Sequence, residues 1–317
     1  MMRTSHVYGP VPSRRLGLSL GLSVVPRKTC TIDCVYCQCG RTTRKTLKRE
    51  SFYPVEEILG QVREAARGRR LDFITFSGEG EPTLNRDIGR LIRKLKAEFD
   101  TPVAVLTNSS LLGDPDVRRA LYRADLVVPS LDAVDEQAFA RVNRPHRELR
   151  AADIVRSLKL FRRFYCGQMW LEVMLVKGVN DEPEHLARLR RTAWEIGPDR
   201  VHLNTVVRPP AEKKAKPLTH DEMEQVRHLF GPGAEIAESS IPVRQRRFKG
   251  RPGEAIAALV RNRPVTLADI ERSVGIDASR ARAALKRLTK SGRVTKVRLW
   301  GKVFYESPER ARAARRR

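Results

Sequence analysis

Six short apolar runs alternate with helical patterns through the first two-thirds of the chain, and this alternation constrains the fold more than any other feature. The runs are nearly free of polar residues, as strands covered on both faces are, and they span 18–25, 73–76, 103–106, 126–128, 171–176 and 201–207. Helical patterns fall between them at 55–69, 87–99, 114–122, 149–164 and 182–196. Strand–helix units in this order predict an α/β fold with a parallel sheet and right-handed crossovers. Periodicity does not distinguish an open barrel from a doubly wound sheet, although six strands are too few for a closed eight-stranded barrel.

Polar motifs follow each predicted strand. A cysteine-rich loop comes after the first strand, Ser77-Gly78-Glu79-Gly80-Glu81 after the second, and Asn108 after the third. Ser130 and Asp132 follow the fourth strand, and the later strands are followed by Lys177, Asn180 and Arg208. Since ligands bind at the carboxyl ends of parallel strands in either architecture, the sequence predicts one site at this edge of the sheet.

The cysteine-rich loop has the spacing C-x3-C-x2-C at Cys30, Cys34 and Cys37, with Cys39 two residues later. A disulfide framework is not expected in a 317-residue chain with 5 cysteines and no recognisable secretory signal. Two metal sites remain open from the residues alone. All four thiolates could hold zinc, although structural zinc usually takes two separated pairs. Three of them could instead hold an iron–sulfur cluster, and three ligands on a four-iron cluster leave one iron open to a substrate or cofactor.

The motif also resembles that of a known family. C-x3-C-x2-C with an aromatic residue, Tyr36, before the last cysteine is similar to the signature of the radical S-adenosylmethionine (SAM) enzymes. The flanking segments Tyr8-Gly9-Pro10-Val11-Pro12-Ser13-Arg14-Arg15-Leu16-Gly17, Cys37-Gln38 and Ser77-Gly78-Glu79-Gly80-Glu81-Pro82-Thr83 resemble a branch that groups with the wybutosine-type tRNA-modifying enzymes. The resemblance covers about residues 7–210, and it implies a partial (β/α)6 TIM barrel.

The resemblance also implies the cofactors. Cys30, Cys34 and Cys37 would hold three irons of a 4Fe-4S cluster, and the fourth iron would chelate the amino and carboxylate groups of SAM. Delivery of one electron to the sulfonium would give a 5′-deoxyadenosyl radical, so a one-electron reductant such as a flavodoxin or ferredoxin is an expected partner. The family pattern does not require Cys39.

Further residues correspond to SAM-binding positions of the family. Tyr36 would pack near the adenine, and the SAM amino group would meet the loop formed by Gly78, Glu79, Gly80 and Glu81. Asn108, Ser130 and Asp132 would bind ribose hydroxyls and the SAM carboxylate, although each taken alone is more often a cap or turn residue. Weaker candidates are Lys177, Asn180, Asn204 and Arg208, and Cys166 is expected to be a buried apolar thiol.

Positive charge is concentrated at the end of the chain. The net charge is +25, and residues 244–317 hold 22 Lys and Arg against 6 Asp and Glu. Helical patterns at 254–262, 267–274 and 278–290 precede a hairpin pattern at 294–305, and this order is typical of a winged helix-turn-helix. Its third helix and hairpin carry the cations Arg280, Lys286, Arg287, Lys290, Arg298 and Lys302. A nucleic acid is therefore the expected partner, with a docked protein as the alternative.

The predicted domains are a core at 1–210, a helical extension and linker at 211–250, the winged helix at 251–309 and a solvated basic tail at 310–317. No apolar stretch is long enough to span a bilayer and residues 1–13 contain no signal, so a cytoplasmic protein without membrane contact is expected. The leading interpretation is a radical SAM enzyme that modifies an unidentified substrate, possibly RNA. The alternatives are an iron–sulfur redox sensor that binds nucleic acid without SAM chemistry, and a zinc-stabilised nucleic-acid-binding protein. Because every cofactor motif precedes residue 210, the core is expected to keep its cluster and its SAM cleavage without the C-terminal region.

Overall fold

An eight-stranded sheet is the centre of the computed structural model, which describes residues 5–13, 15–237 and 252–315. The strands of the molecule are β1 (Val7–Ser13), β2 (Gly17–Leu22), β3 (Thr29–Cys30), β4 (Arg44–Lys45), β5 (Phe73–Phe76), β6 (Val103–Thr107), β7 (Leu126–Pro129), β8 (Gln168–Leu175), β9 (Arg200–Thr205), β10 (Ala234–Ile236), β11 (Thr295–Leu299) and β12 (Lys302–Glu306). The helices are α1 (Val55–Ala66), α2 (Ile88–Glu98), α3 (Pro115–Leu121), α4 (Glu136–Val142), α5 (Ala151–Phe164), α6 (Pro183–Ile196), α7 (His220–Phe230), α8 (Pro252–Asn262), α9 (Leu267–Val274), α10 (Ala278–Lys290) and α11 (Pro308–Arg315). A 3-10 turn, Pro82–Leu84, follows β5.

The strand order is β1-β2-β5-β6-β7-β8-β9-β10, and all neighbours from β2 onward are parallel. The predicted parallel sheet is thereby confirmed. In a doubly wound sheet the order reverses at a switch point. Here it runs in one direction without reversal, which is the order of a barrel wall.

Three elements of this sheet region were not predicted. Strand β1 pairs antiparallel with β2, and its register shifts between Tyr8 and Val11. Strand propensity does not predict β1, because its sequence contains glycine and prolines and proline is tolerated only at a sheet edge or bulge. Strand β10 has three residues and helix α4 has seven, which are too few for a clear period. Through α7 and β10 the sheet continues beyond residue 210, and the remaining linker residues, 238–250, lie outside the described residues.

Apolar side chains of the helices cover the sheet. In α2, Ile88, Leu91, Ile92 and Leu95 are fully buried at the i, i+3, i+4, i+7 spacing of one helix face. Burial of each such side chain stabilises the fold by about 1.5–3 kcal/mol. The loops at the carboxyl edge therefore extend from a packed and rigid base. None of the described helices combines the length and apolar character needed to cross a membrane.

Residues 252–315, here called the C-terminal module, have an apolar core of their own. Helices α8, α9 and α10 precede the β11–β12 hairpin, in the order that the sequence pattern predicts. A capping box between Thr266 and Asp269 begins α9, and the left-handed Gly275 ends it.

Residues 308–315 form helix α11, whereas a solvated arm was expected from residue 310 onward. Arg310 is buried at 7% exposure and pairs with Glu306 at 3.0 Å. It also donates a hydrogen bond to the carbonyl of Pro209 at 2.6 Å. The buried carboxylate of Glu306 and the carbonyl of Pro209 thus hold Arg310. The sequence does not reveal this, because Pro209 is distant along the chain and no local pattern marks Glu306 as buried.

Candidate functional site

The carboxyl edge of the sheet encloses a cavity of about 310 Å³. Ten of the eleven residues predicted to bind the cluster or SAM line it, namely Cys30, Cys34, Tyr36, Cys37, Gly78, Glu79, Gly80, Glu81, Asn108 and Ser130. The eleventh, Asp132, lines a much smaller cavity beside it. Asn108 and Ser130 border both cavities, so the two are adjacent.

Each of the three motif cysteines accepts a hydrogen bond from a side-chain N–H group. Asn108 Nδ2 donates to Cys30 Sγ at 3.4 Å, and Asn143 Nδ2 donates to Cys34 Sγ at 3.4 Å. Lys28 Nζ donates to Cys37 Sγ at 3.3 Å. Donors of this kind stabilise negative charge on sulfur and orient the ligand atoms of a metal centre. The donor set, three thiols with one N–H group each, therefore fits an iron–sulfur cluster.

Burial and neighbouring charge divide the thiols into two kinds. Burial raises the pKa of Cys30 to about 12, and it raises the pKa of Cys34 well above the usual value. A hydrogen bond from Cys39, followed by the charge of Lys28, holds the pKa of Cys37 well below the usual value. Since a thiolate is the ligand form, metal binding must displace the protons of Cys30 and Cys34.

The structure does not group the motif cysteines around one position where a single metal ion could bind. Within the described ranges, no three of the His, Cys, Asp and Glu side chains are grouped for a single metal ion. The assignment therefore depends on the motif spacing, the shared cavity and the three N–H donors.

Cys39 lies beside Cys37 and lines the same cavity. Its hydrogen bond to Cys37, followed by burial, raises the pKa of its thiol well above the usual value. Its Sγ also lies 3.8 Å from the carbonyl of Gly78. The structure therefore places Cys39 as a hydrogen-bonding neighbour of Cys37, and its exclusion from the ligand set stays a prediction from the family pattern.

The glycine-rich loop after β5 packs directly against the backbone that precedes Cys30. Glu81 N donates to Thr29 O at 3.1 Å, and Lys28 N donates to Glu79 O at 2.8 Å. A Cβ on Gly80 would lie 2.2 Å from Thr29 O, so only glycine fits there. The loop therefore positions the cysteine segment as well as bordering the cavity.

The carboxylate of Glu81 is buried at 2% exposure and its oxygens already have partners. It accepts hydrogen bonds from Thr83 N at 3.0 Å, Thr107 Oγ1 at 2.7 Å and Asn108 N at 2.8 Å. Burial raises its pKa, against the effect of these donors. The carboxylate joins the ends of two strands, and its contact with the SAM amino group stays a prediction.

Asp132 is the acceptor that orders the other side of the cysteine loop. It accepts hydrogen bonds from Tyr36 Oη at 2.5 Å, Asn143 Nδ2 at 2.7 Å and Met174 N at 3.0 Å. Burial raises its pKa to about 6. Asp132 thereby holds Tyr36 and the asparagine that contacts Cys34, and its direct contact with SAM stays a prediction.

The weaker candidates separate into two groups. Arg208 lines the cavity. Asn204 does not line it, and its amide donates to Glu172 at 2.9 Å. Asn180 is buried and donates to the carbonyls of Asp132 and Met174, and Lys177 is exposed and paired with Glu222, so neither borders the cavity. Cys166 is exposed, and the predicted burial was wrong because the residue lies in the connection between α5 and β8.

Four residues at or beside the site were missed from the sequence. Lys28 and Asn143 donate to motif cysteines, and Arg15 and Arg263 line the cavity. Lys28 precedes the motif by two residues, and its positive φ of 58° and deep burial are not visible in the sequence. Asn143 caps the unpredicted helix α4, and Arg263 comes from the C-terminal module, so no local signal connects either to the cysteines.

Comparisons with known proteins identify the family. The family model of the radical SAM superfamily matches residues 24–190. The chain is 38% identical to a UPF0026 protein from Methanocaldococcus jannaschii over 226 residues, which is 70% of each chain. It is also 38% identical over 309 residues to a Brachyspira hyodysenteriae protein named GTPase Obg, covering 96% of this chain but 45% of that protein. A probable dual-specificity RNA methyltransferase, RlmN 1, from Opitutus terrae is 30% identical over 185 residues, which is 55% of this chain and 50% of that protein.

A solved structure agrees with the fold. A radical SAM methyltransferase from Sphaerobacter thermophilus has a TM-score of 0.54 at 22% identity, over 69% of this chain and 66% of that one. Radical SAM proteins use a 4Fe-4S cluster and SAM, and this favours an enzyme over the redox-sensor and zinc alternatives. By its family model, its relatives and the three cysteines at the edge of its parallel sheet, the chain belongs to the radical SAM superfamily.

Proposed function

We propose that this chain is an enzyme that cleaves SAM reductively at a 4Fe-4S cluster bound by Cys30, Cys34 and Cys37, and that it starts a radical modification of RNA. The observation that carries the proposal is the shared cavity, in which the three cysteines meet the 78–81 loop and Asn108. When bound, the cluster supplies one electron from an external reductant, such as a flavodoxin or ferredoxin, to the sulfonium of SAM.

The residues of this chain prepare the cavity for that chemistry. Lys28 is 7% exposed, and its pKa is raised because the nearby thiols of Cys37, Cys39 and Cys30 outweigh the cost of burying its charge. A permanent ammonium beside Cys37 offsets the negative charge of thiolate ligands. Tyr36 is held by Asp132 at the cavity wall, where an aromatic face can pack on a nucleoside base.

The choice of RNA depends on two supports. Relatives named RNA methyltransferases share about half of their length with this chain. In addition, the flanking segments resemble the wybutosine-type tRNA-modifying branch, in which the core would be a partial barrel. The methyltransferase names describe those proteins, and the reaction that follows radical formation here is unassigned.

The C-terminal module is proposed to be a winged helix that binds this RNA. In α10 the apolar residues Ala281, Ala284, Leu285 and Leu288 are buried. Its remaining face is exposed and basic, as is the hairpin, with the cations Arg280, Lys286, Arg287, Lys290, Arg298 and Lys302. Exposed cations on a helix and a wing are the arrangement that meets nucleic-acid phosphates.

The SAM half of the proposal is tested by anaerobic reconstitution with iron and sulfide. Incubation with SAM and dithionite should release 5′-deoxyadenosine, which is measured by chromatography, and the Cys34→Ala variant should release none. If the reconstituted protein has a full cluster but neither binds nor cleaves SAM, the enzyme assignment is wrong.

The RNA half is tested by fluorescence anisotropy with single-stranded RNA and duplex DNA at 50–300 mM KCl. Charge reversal at Arg280, Arg287 and Arg298 should reduce the slope of log K against log salt for RNA by about two, because each lost single-strand phosphate contact removes about 0.7. A matched control reverses three exposed arginines of the core helices, Arg90, Arg93 and Arg190. Equal effects of the two triple variants, or no RNA affinity at low salt, would favour a docked protein partner.

A further inference from the structure

The C-terminal module packs against the strand that covers the cavity. Helices α8 and α9 contact β1, and Val11 of β1 contacts the apolar core of the module. Tyr8 and Val11 of the same strand also line the cavity. Strand β1 is therefore a seam with the cavity on one side and the module on the other, and the module can contribute side chains to the cavity.

One side chain of the module does reach the cavity. Arg263, directly after α8, lines it together with Arg208, which follows β9 of the core. Both arginines act on the same carboxylate, because their charges help to hold the pKa of Asp269 below its usual value although burial opposes this. The two arginines thus line one cavity from the two sides of the seam, and both lie within electrostatic range of Asp269.

The carboxylate of Asp269 already has other partners. Asp269 accepts hydrogen bonds from Thr266 N and Thr266 Oγ1, both at 3.0 Å, and it pairs with Arg272 at 3.1 Å. Arg208 itself donates to Gln38 at 3.3 Å. Asp269 therefore already has Thr266 and Arg272 as direct partners, in addition to the charges of Arg208 and Arg263.

Arg263 has spare hydrogen-bonding capacity. Among the described residues it forms no ion pair within 4 Å, and its Nε atom is buried without a hydrogen-bond partner. Two other charged groups of the cavity wall do form ion pairs: Arg15 lies 2.7 Å from Glu172, and Glu79 lies 3.0 Å from Arg27. A guanidinium cannot lose its proton, so its unpaired buried donor is a cost that a bound anion would offset.

We propose that Arg208 and Arg263 form a subsite for a phosphate or other oxyanion of the substrate, so that the C-terminal module completes the active site. Paired guanidinium groups recognise planar and tetrahedral oxyanions through several parallel N–H donors. The assignment of the anion to a substrate rests on the proposed function. The binding of an oxyanion at this place does not.

The test is isothermal titration of the full-length reconstituted protein with inorganic phosphate, acetate and SAM in separate experiments at constant ionic strength. Arg263→Gln should weaken phosphate binding by about tenfold or more, because it removes a charged multidentate donor. Arg263→Lys should lose less, since it keeps the charge. The matched control is Arg261→Gln, an exposed arginine two residues away, and it should leave phosphate binding unchanged.

The titrations distinguish the possible anions. Phosphate stronger than acetate, with SAM affinity unchanged in Arg263→Gln, supports a substrate phosphate, and the reverse order of the two anions supports a substrate carboxylate. Two results would overturn the proposal: equal oxyanion affinity in Arg263→Gln and the parent, or a matching loss of SAM affinity, which would assign Arg263 to the cofactor. Thermal melting shows whether Arg263→Gln is misfolded. If it is, the oxyanion affinities of Arg263→Lys and Arg208→Gln are compared with that of the parent protein instead. None of these readouts requires SAM cleavage or RNA binding.

Discussion

The cysteine loop and helix α10 both present reactive or charged side chains, but the structure satisfies them in opposite ways. Each motif cysteine accepts an N–H donor from a different part of the core, and the donors are themselves half-buried or buried. The basic side chains of α10 extend into solvent from the face opposite its apolar core. A site that must orient a small cofactor is built before the ligand arrives, whereas a surface for a polyanion can leave its cations hydrated until binding.

Removal of a motif cysteine should have the largest effect. Cys34→Ala should reduce the iron content from about four per chain to nearly none, because three thiolates are the minimum that holds the cluster. Iron assay and visible absorbance measure the loss. The matched control is Cys166→Ala, which removes an exposed thiol and should keep the full cluster. A full cluster in Cys34→Ala would disprove the ligand assignment.

A methyl group on Gly80 should have the next largest effect. Gly80→Ala would place Cβ 2.2 Å from Thr29 O and 2.6 Å from Val25 Cγ2, so the loop must move away from the cysteine segment. We expect a loss of about 1–3 kcal/mol in the free energy of unfolding, measured by urea denaturation.

The control for that change is Gly60→Ala in helix α1, where a Cβ would meet nothing within 4 Å. It should raise the free energy of unfolding by about 0.5–1 kcal/mol, because alanine loses less backbone entropy than glycine in a helix. If both variants change stability in the same direction, close packing of the loop is not what requires glycine at position 80.

Loss of the Asn108 side chain, which donates to Cys30 and also hydrogen-bonds Thr31 and Ser110, should have a smaller effect that is measured at the cluster. Asn108→Ala removes the donor to Cys30, and because that donor favours the more negative, reduced state, the reduction potential should fall by on the order of 50 mV. Potentiometric titration followed by electron paramagnetic resonance measures the shift. Asn204→Ala, which removes an amide bonded to Glu172, serves as the control and should leave the potential unchanged.

Neutralisation of the basic face of α10 should have the smallest effect on the folded protein. Lys286→Gln and Arg287→Gln change exposed side chains, so stability should remain within about 0.5 kcal/mol and the iron content should not change. Urea denaturation and iron assay check both quantities. A loss comparable to that of Gly80→Ala would show that these cations support the fold, and the contrast between the two regions would fail.

Much of the sheet and of the candidate ligand set could be predicted from the sequence. Strands β2 and β5–β9 follow from nearly continuous apolar runs, and most helices follow from a period of 3.6 residues. The caps at Thr219 and Thr266 follow from short side chains three residues before an acidic partner. The cysteine motif is equally local. Strand β1 and helix α4 could not be predicted, because an edge strand rich in proline and a seven-residue helix have no distinct period.

The sequence by itself determined the parallel sheet, the edge of it where the cavity lies, and the three cysteines that line that cavity. Only the tertiary structure decided which groups surround them. It brought Lys28, Asn108 and Asn143 to the sulfur atoms, and it seated the C-terminal module on β1 so that Arg263 enters the cavity. Removal of the module would take Arg263 from the cavity wall, and retention of the cluster by the core alone stays a prediction. Local patterns encode periodicity, but contacts between residues distant in the sequence, such as Asn143 and Cys34, depend on how the packed elements meet.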